Sequence, residues 1–583
     1  MEHVPAAAAD AQRHGAAAVE TIPEEMADTL SRFESEEAAR IAEQKARLGQ
    51  EHAQVECDHP ADDEHSHTHA GAHDVEKGSL RSIPNLSPRV EKEIEAEEND
   101  PFIVSWESTD SVHENPRTWS LRYRLFLMLN FALFSLIGPF ASSMISPAQL
   151  VIAERLHFTN TVETSLLIGI FMLAFTFGPP IAAPVSETIG RRKVVLICNI
   201  GFVAARRAPR AHRSFIAFNI GCAVSQTKAQ LIVLRFFSGL FGGAVIPMGG
   251  GCISDMFSEY ERGTAMAIYA IMPVMGPCCG PIVGGWIIQA WGEDRWRWIF
   301  WTSTMLSGAI EVIGFLFARE TYTPVLLKHK AKKLRSETND MRYHTRFEKH
   351  GESKGEKARR VLLLPLVFLF TELVVLLPSL YMALIYGCFY LIISTLPTVY
   401  QEYYGYSPGI AALHNVSLLL GFIVFGQIGG RFVDWTYVYL EKKYGHRRPE
   451  FKLPLLMFTV FVVPAGLLIF GWTARYRVFW FVPDLGLFIV SSGVMGTLLQ
   501  VQMYMADVMG IYGSSAISAT IALRSFVAFI FTLFAHPMVT SLKTGWESSV
   551  LALVCAVFGI PAPFLLWHFG PALRSRSKFC VKE

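Results

Sequence analysis

Four of the ionisable side chains that stand in or beside apolar runs bear most directly on function. Arg235 lies in Leu234-Arg235-Phe-Phe-Ser-Gly239-Leu-Phe-Gly-Gly243, Glu311 interrupts the run 298–317, and Asp507 and Arg524 fall at the end of one apolar run and inside the next. A charge in hydrocarbon is costly unless it faces water or a partner, so an arginine about two turns into such a run is functional by default. The structural alternative is an arginine that snorkels to the outer interface. A buried glutamate is a candidate proton carrier, because desolvation penalises its charged form. Glu311 is that candidate, against a place near the inner interface or an ion pair with a neighbour. Tyr381, Tyr386 and Tyr390 recur every four to five residues, with Tyr400 beyond. They could line a cavity and stack on a flat or cationic ligand; the same stripe also serves as simple packing. No nucleophile–base pair, phosphate-binding loop or metal site stands out, so the chain is not read as an enzyme and no cofactor is expected.

These groups must be positioned by membrane-spanning helices. The chain has 583 residues, 51% of them hydrophobic and 18% charged, which suits a polytopic membrane protein carrying a soluble appendage. A net charge of +1 gives no case for nucleic-acid binding. Twelve apolar segments follow one another at about 124–146, 162–184, 194–225, 229–253, 264–288, 298–317, 374–400, 409–432, 453–473, 478–505, 513–536 and 547–569. Six plus six around a long central connector is the layout of a transporter built from two repeated halves. The expected divisions are a disordered cytosolic tail over 1–115, a first half over 116–318, a connector over 319–362, a second half over 363–570 and a short tail over 571–583. Basic residues cluster after the second, sixth, eighth and last segments, which places those loops and both termini in the cytosol. In the tail, His59, His65, His67, His69 and His73 form a histidine-rich tract. It could bind zinc or copper weakly, but it lacks the spacing of a tetrahedral site with paired cysteines, so a disordered tail is the preferred reading. Nine scattered cysteines form no readable disulfide framework.

The fifth segment contains Met275-Gly-Pro-Cys-Cys-Gly-Pro-Ile-Val-Gly-Gly-Trp286. Gly276, Gly280 and Gly284 recur every four residues and stack on one helix face, which lets a neighbouring helix approach closely. Pro277 and Pro281 each remove a helical hydrogen bond, so a bend is expected; Gly285 follows the glycine row. The third segment is interrupted by Arg206, Arg207, Arg210 and Arg213. Each would cost roughly 2.5–3.5 kcal/mol near a helix centre. Residues 203–215 are therefore read as an insertion, such as translated intron sequence, whose removal leaves one span of normal length.

The sequence resembles the twelve-span drug:proton antiporter family of the major facilitator superfamily, in its fungal multidrug branch of fluconazole-resistance and polyamine exporters. The resemblance rests on the glycine-proline pattern above and on Gly178-Pro-Pro-Ile-Ala-Ala-Pro-Val-Ser-Glu-Thr-Ile-Gly-Arg-Arg192. It extends to Arg235 with its flanking residues, Asn115-Pro-Arg-Thr-Trp119, Trp296-Arg-Trp-Ile-Phe300, Glu320-Thr-Tyr-Thr-Pro and Arg448-Pro-Glu-Phe-Lys. It implies an all-α integral-membrane fold of twelve helices in two six-helix halves. It implies a conformational lock of Glu187, Gly190, Arg191, Arg192, Asp255 and Arg262, which holds two helix bundles in the outward-facing state. It assigns Gly276, Pro277, Gly280, Pro281, Gly284 and Gly285 to an antiporter motif and Arg235 to proton coupling. Two departures are Ala183, where the family has glycine, and Glu187, where it has aspartate. The implied activity is export of small amphipathic compounds such as drugs, toxins or polyamines by alternating access. It is driven by the proton gradient and carried out by a monomer in the plasma membrane or the vacuolar membrane. A facilitator or symporter of a nutrient, and a non-transporting membrane sensor, are the alternatives.

Overall fold

The computed structural model describes residues 100, 102–104, 106, 115–199, 215–257, 259–345, 365–446, 448–510, 513–577 and 580, all within one compact unit, Glu95–Glu583. The histidine-rich tract and most of the arginine-rich stretch lie outside the described residues.

Among the described residues, ten helical stretches are long and apolar enough to cross a membrane. The last of them, Ser515–Ser575, has 61 residues. One helix of that size would run about 90 Å, three times the hydrocarbon thickness of ~30 Å. It breaks at Lys543, where φ 61 and ψ 156 leave the helical region, so it supplies two crossings. The third crossing is represented by its two ends, Arg191–Asn199 and Phe215–Val224. Asn219 fastens the second of these to the sixth crossing, donating from Nδ2 to Ser303 Oγ at 2.6 Å and to Phe300 O at 3.1 Å. With that one the count reaches twelve. Phe215 was expected to end the insertion, but it opens this helix. It is fully buried and packs on Gly242 of the fourth crossing.

Local sequence explains the helix ends that matter for the site. Asn160 accepts from the backbone N–H of Val162 to start the second crossing, Thr161–Ile189, and Thr227 accepts from Gln230 N to start the fourth. Both are capping side chains that satisfy otherwise orphaned donors. The second crossing ends at Gly190, whose φ of +104 favours glycine and whose missing side chain leaves room for the Glu320 carboxylate.

The fifth crossing, Glu259–Trp291, stays helical through Pro273, Pro277 and Pro281. Its glycine face meets the first crossing, Leu121–Ser143. A Cβ built on Gly276 would stand 2.8 Å from Phe140 N, and one on Gly280 would stand 2.5 Å from Phe140 O. One on Gly284 would run into the carbonyl of Met144. Gly285 faces the other half: its Cβ would be 2.7 Å from Pro408 O and 2.6 Å from Ala412. Backbone therefore meets backbone along the whole motif, a contact only glycine permits.

Candidate functional site

Arg235 is 1% exposed, and each of its three guanidinium nitrogens donates to a backbone carbonyl. Nε donates to Leu167 O, Nη1 to Ala141 O and Nη2 to Ser142 O, each at 3.0 Å. Ala141 and Ser142 belong to the last turn of the first helix, whose final carbonyls have no helical donor and carry the negative end of the helix dipole. The cation thus replaces water with orphan carbonyls, and the ring of Phe171 lies 4.8 Å from its Cζ. Among the described residues no carboxylate pairs with it. Three crossings of the first half converge on one charge.

Ser142 carries the contact across to the second half. Its Oγ lies 3.3 Å from the hydroxyl of Tyr390 on the seventh crossing, Leu373–Tyr404. The Tyr390 and Tyr386 rings are 5.1 Å apart, and Arg524 of the eleventh crossing sits 4.6 Å over Tyr386. Arg235, Ser142, Tyr390, Tyr386 and Arg524 therefore form one line through the centre. Of the two readings of the tyrosine stripe, ligand stacking or packing, Tyr386 has one face covered by the Arg524 guanidinium. Tyr381 stands apart, buried against Gly559 of the twelfth crossing. Glu311 is buried on the sixth crossing within electrostatic reach of Cys198. It lies eleven residues, about 16 Å of helix, from Phe300, whose ring stands 5.8 Å from Arg235. The two residues expected to couple protons are not brought together.

Beyond this centre the halves meet at the ends assigned to the outside. Pro397 has no N–H, so the carbonyl of Ile393, one turn earlier, lacks its helical donor. Ser146, just past the first helix, donates to that oxygen at 2.9 Å and to Ser394 O at 3.1 Å. Gln289 of the fifth crossing accepts from Ser407 Oγ at 2.8 Å and from Gly409 N at 2.9 Å. His536 of the eleventh crossing lies 3.2 Å from Gln149 Oε1. Only the fold could supply these partners, because each pair joins residues more than a hundred positions apart.

At the inner end, Arg191 Nε donates to Asp255 Oδ2 at 2.7 Å. The Arg191 backbone N–H donates to Glu320 Oε1 at 2.8 Å, and the guanidinium lies 5.0 Å from the Tyr322 ring centre. Arg192 Nη2 donates to Phe315 O at 3.1 Å, and Arg262 Nη2 to Ser254 O at 3.4 Å. The Glu187 side chain lies outside the described residues. Arg191 opens the third crossing, Asp255 ends the fourth and Glu320 lies just past the sixth, so this cluster ties the inner ends of three first-half crossings together. The second half has a counterpart: Arg574 Nε donates to Glu450 Oε1 at 2.9 Å and Nη2 to Oε2 at 3.1 Å, both side chains being buried. Lys452 pairs with Asp507 beside it. The sequence motifs contained Glu320 and Glu450 but gave them no role, since only the fold supplies their partners.

Two six-helix halves around one polar, aromatic centre define a multi-pass membrane protein. Residues 131–535 match the sequence model of the Major Facilitator Superfamily. An uncharacterised transporter of Schizosaccharomyces pombe is 36% identical over 491 residues, covering 84% of this chain and 96% of that protein. The efflux pump vrtL of Penicillium aethiopicum is 34% identical over 515 residues, covering 88% and 98%. Among solved structures, the partially occluded inward open conformation of the xylose transporter XylE from E. coli superposes with a TM-score of 0.53 at 14% identity, covering 77% of this chain and 98% of that one. That likeness shows the fold. The chain belongs to the major facilitator superfamily, and its relatives are fungal efflux-type transporters.

Proposed function

We propose that this chain is a proton-driven exporter of small amphipathic compounds, and that acidic or phenolic ones suit its centre better than polyamines. The observation that carries the reading is the line from Arg235 through Ser142, Tyr390 and Tyr386 to Arg524. A polycation would meet two buried guanidiniums there, whereas a carboxylate or phenolate would meet charge-assisted donors and aromatic faces. Relatives named as efflux pumps support outward transport. The centre joins both halves, so a ligand inserted between Ser142 and Tyr390 would compete directly with the contact that holds them together. That is how binding energy would drive alternating access. The outer ends, joined through Ser146 and Gln289, then represent a state closed to the outside, and the plasma membrane is the proposed location.

The test uses proteoliposomes holding the purified chain and an imposed pH gradient. Uptake or efflux of a labelled phenolic acid is compared with that of a labelled polyamine. Proton-gradient-dependent movement of the acid, lost in Arg524→Gln, is expected. Movement of the polyamine alone would overturn the substrate class, and movement independent of the gradient would overturn the coupling.

A further inference from the structure

A second polar constellation lies in the second half, well away from Arg235. His414 precedes the eighth crossing, Asn415–Tyr444, and its Nδ1 lies 2.9 Å from both oxygens of Asp484 in the first turn of the tenth crossing. Tyr400, near the end of the seventh, donates its hydroxyl to Asp484 Oδ1 at 2.5 Å. The imidazole lies flat on the Tyr400 ring, with centroids 3.7 Å apart and 5° between planes, and Tyr406 stacks in parallel at 5.6 Å. All three interacting side chains are buried: Tyr400 is 0%, His414 8% and Asp484 9% exposed. His414 and Asp484 nevertheless line a cavity of about 770 Å³ walled by Tyr406, Trp480 and Phe481. Those aromatic residues lie at loops assigned to the outer face.

We infer that His414, Asp484 and Tyr400 form a proton-binding site loaded from the outer side, separate from the path of the exported compound. A buried carboxylate facing only a phenol and a neutral imidazole leaves a net negative charge in a poorly solvated place, which is costly. One proton on the imidazole cancels that charge, and the imidazolium gains the faces of Tyr400 and Tyr406. The titratable groups facing the pair are Tyr400 and Tyr404 from the seventh crossing and Tyr406 from the loop after it. Among the described residues no Lys, Arg or second carboxylate pairs with His414 or Asp484. The site is also mechanically placed. Tyr400 lies one turn beyond Pro397, on the helix whose Ile393 and Ser394 carbonyls hold Ser146 of the first half. The proton ties His414, at the start of the eighth crossing, to Asp484 of the tenth and to the Tyr400 face on the seventh, so its arrival and departure bias the outer closure. Every residue lining the cavity belongs to the second half, so the proposed proton path does not cross the contacts that join the outer ends of the two halves.

This inference rests on the export reading for its role in coupling, but the site itself is tested without transport. The thermal stability of the purified full-length chain is followed between about pH 5 and 8, where a histidine changes charge. Stability contributed by the protonated pair is present on the acid side and lost as pH rises. Asp484→Asn removes the anion and is expected to move that midpoint to lower pH. Tyr400→Phe keeps the ring stack, deprives the carboxylate of its hydroxyl donor and should move it to higher pH. Shifts of about one unit, a tenfold change in proton affinity, are expected for each. His414→Gln should flatten the transition, and if that variant is not recovered the opposed shifts decide alone. Midpoints that coincide with the parent's, or a parent without any transition, overturn the site. If the site passes and proteoliposomes of the parent show no gradient-driven transport, it is the export reading that fails.

Discussion

The glycine row of the fifth crossing offers a graded test, because each position has a different clearance from the first crossing. Ordinary contact needs about 3.4 Å, and a Cβ at Gly276 would have 2.8 Å to Phe140 N, so the helices must part locally by about 0.6 Å. At Gly280 the clearance to Phe140 O is 2.5 Å, and the parting rises to about 0.9 Å. At Gly284 the Met144 carbonyl is closer still. The obstacles include backbone atoms at every position, so no rotamer change relieves them. Overpacking of this kind costs about 1–3 kcal/mol, which is a shift of roughly 5-fold to more than 100-fold in whichever conformational equilibrium needs the two helices close. Gly308 on the sixth crossing has nothing within 4 Å of its Cβ and serves as the control. Alanine at 276, 280, 284 and 308 is introduced one position at a time, and the initial efflux rate is divided by the amount of protein in the membrane. The expected order of loss is 284 over 280 over 276, with 308 at the parental rate. Parental efflux in Gly284→Ala at a normal membrane level would refute the close-approach argument, as would an equal loss at 308.

Further outcomes follow from the other contacts. Arg235→Ala removes the charge on which three crossings converge and leaves the Ala141 and Ser142 carbonyls, at the end of the first helix, without their donor. Efflux should fall at least tenfold and lose its dependence on external pH, and a pH response like the parent's would remove Arg235 from coupling. Asp255→Asn leaves a largely buried Arg191 without its carboxylate, a loss of up to about 3–5 kcal/mol for a buried pair. The melting temperature should drop, and Arg191→Gln on the same background should recover part of it; simple additivity would argue against the pair. Pro397→Ala restores a helical N–H that competes with Ser146 for the Ile393 carbonyl, a contact of about 0.5–1.5 kcal/mol. Spin labels at the exposed positions 155 and 402 should then report a larger outer separation, and an unchanged distance distribution would dismiss the role of the proline. Deleting 203–214 while keeping Phe215 should give more membrane protein than deleting 203–215, because Phe215 fills the space beside Gly242.

Much of this molecule was legible before any fold was known. Apolar runs long enough for a bilayer, basic inner loops and the glycine-proline pattern are properties of neighbouring residues, and they carry the membrane class, the crossings and the family. The identity of Arg235 as an expensive charge was equally local, since burial in hydrocarbon follows from the run that contains it. What the glycine face packs against was not legible, because small residues announce a close approach without naming the partner. Periodicity likewise could not separate Tyr386 and Tyr390, which face the centre, from Tyr381, which packs on Gly559. The pairing of Arg191 with Asp255 was suggested only by family resemblance, and the geometry added Glu320 to it. Tyr400 was noticed only as the end of a tyrosine stripe, and His414 and Asp484 passed without notice, the three being scattered over some eighty residues of three crossings. Sequence by itself determined that polar groups must be buried in a membrane. Which of them would share a hydrogen bond was decided by tertiary packing, since a hydrogen bond depends on ångström distances between helices that the chain brings together only when folded.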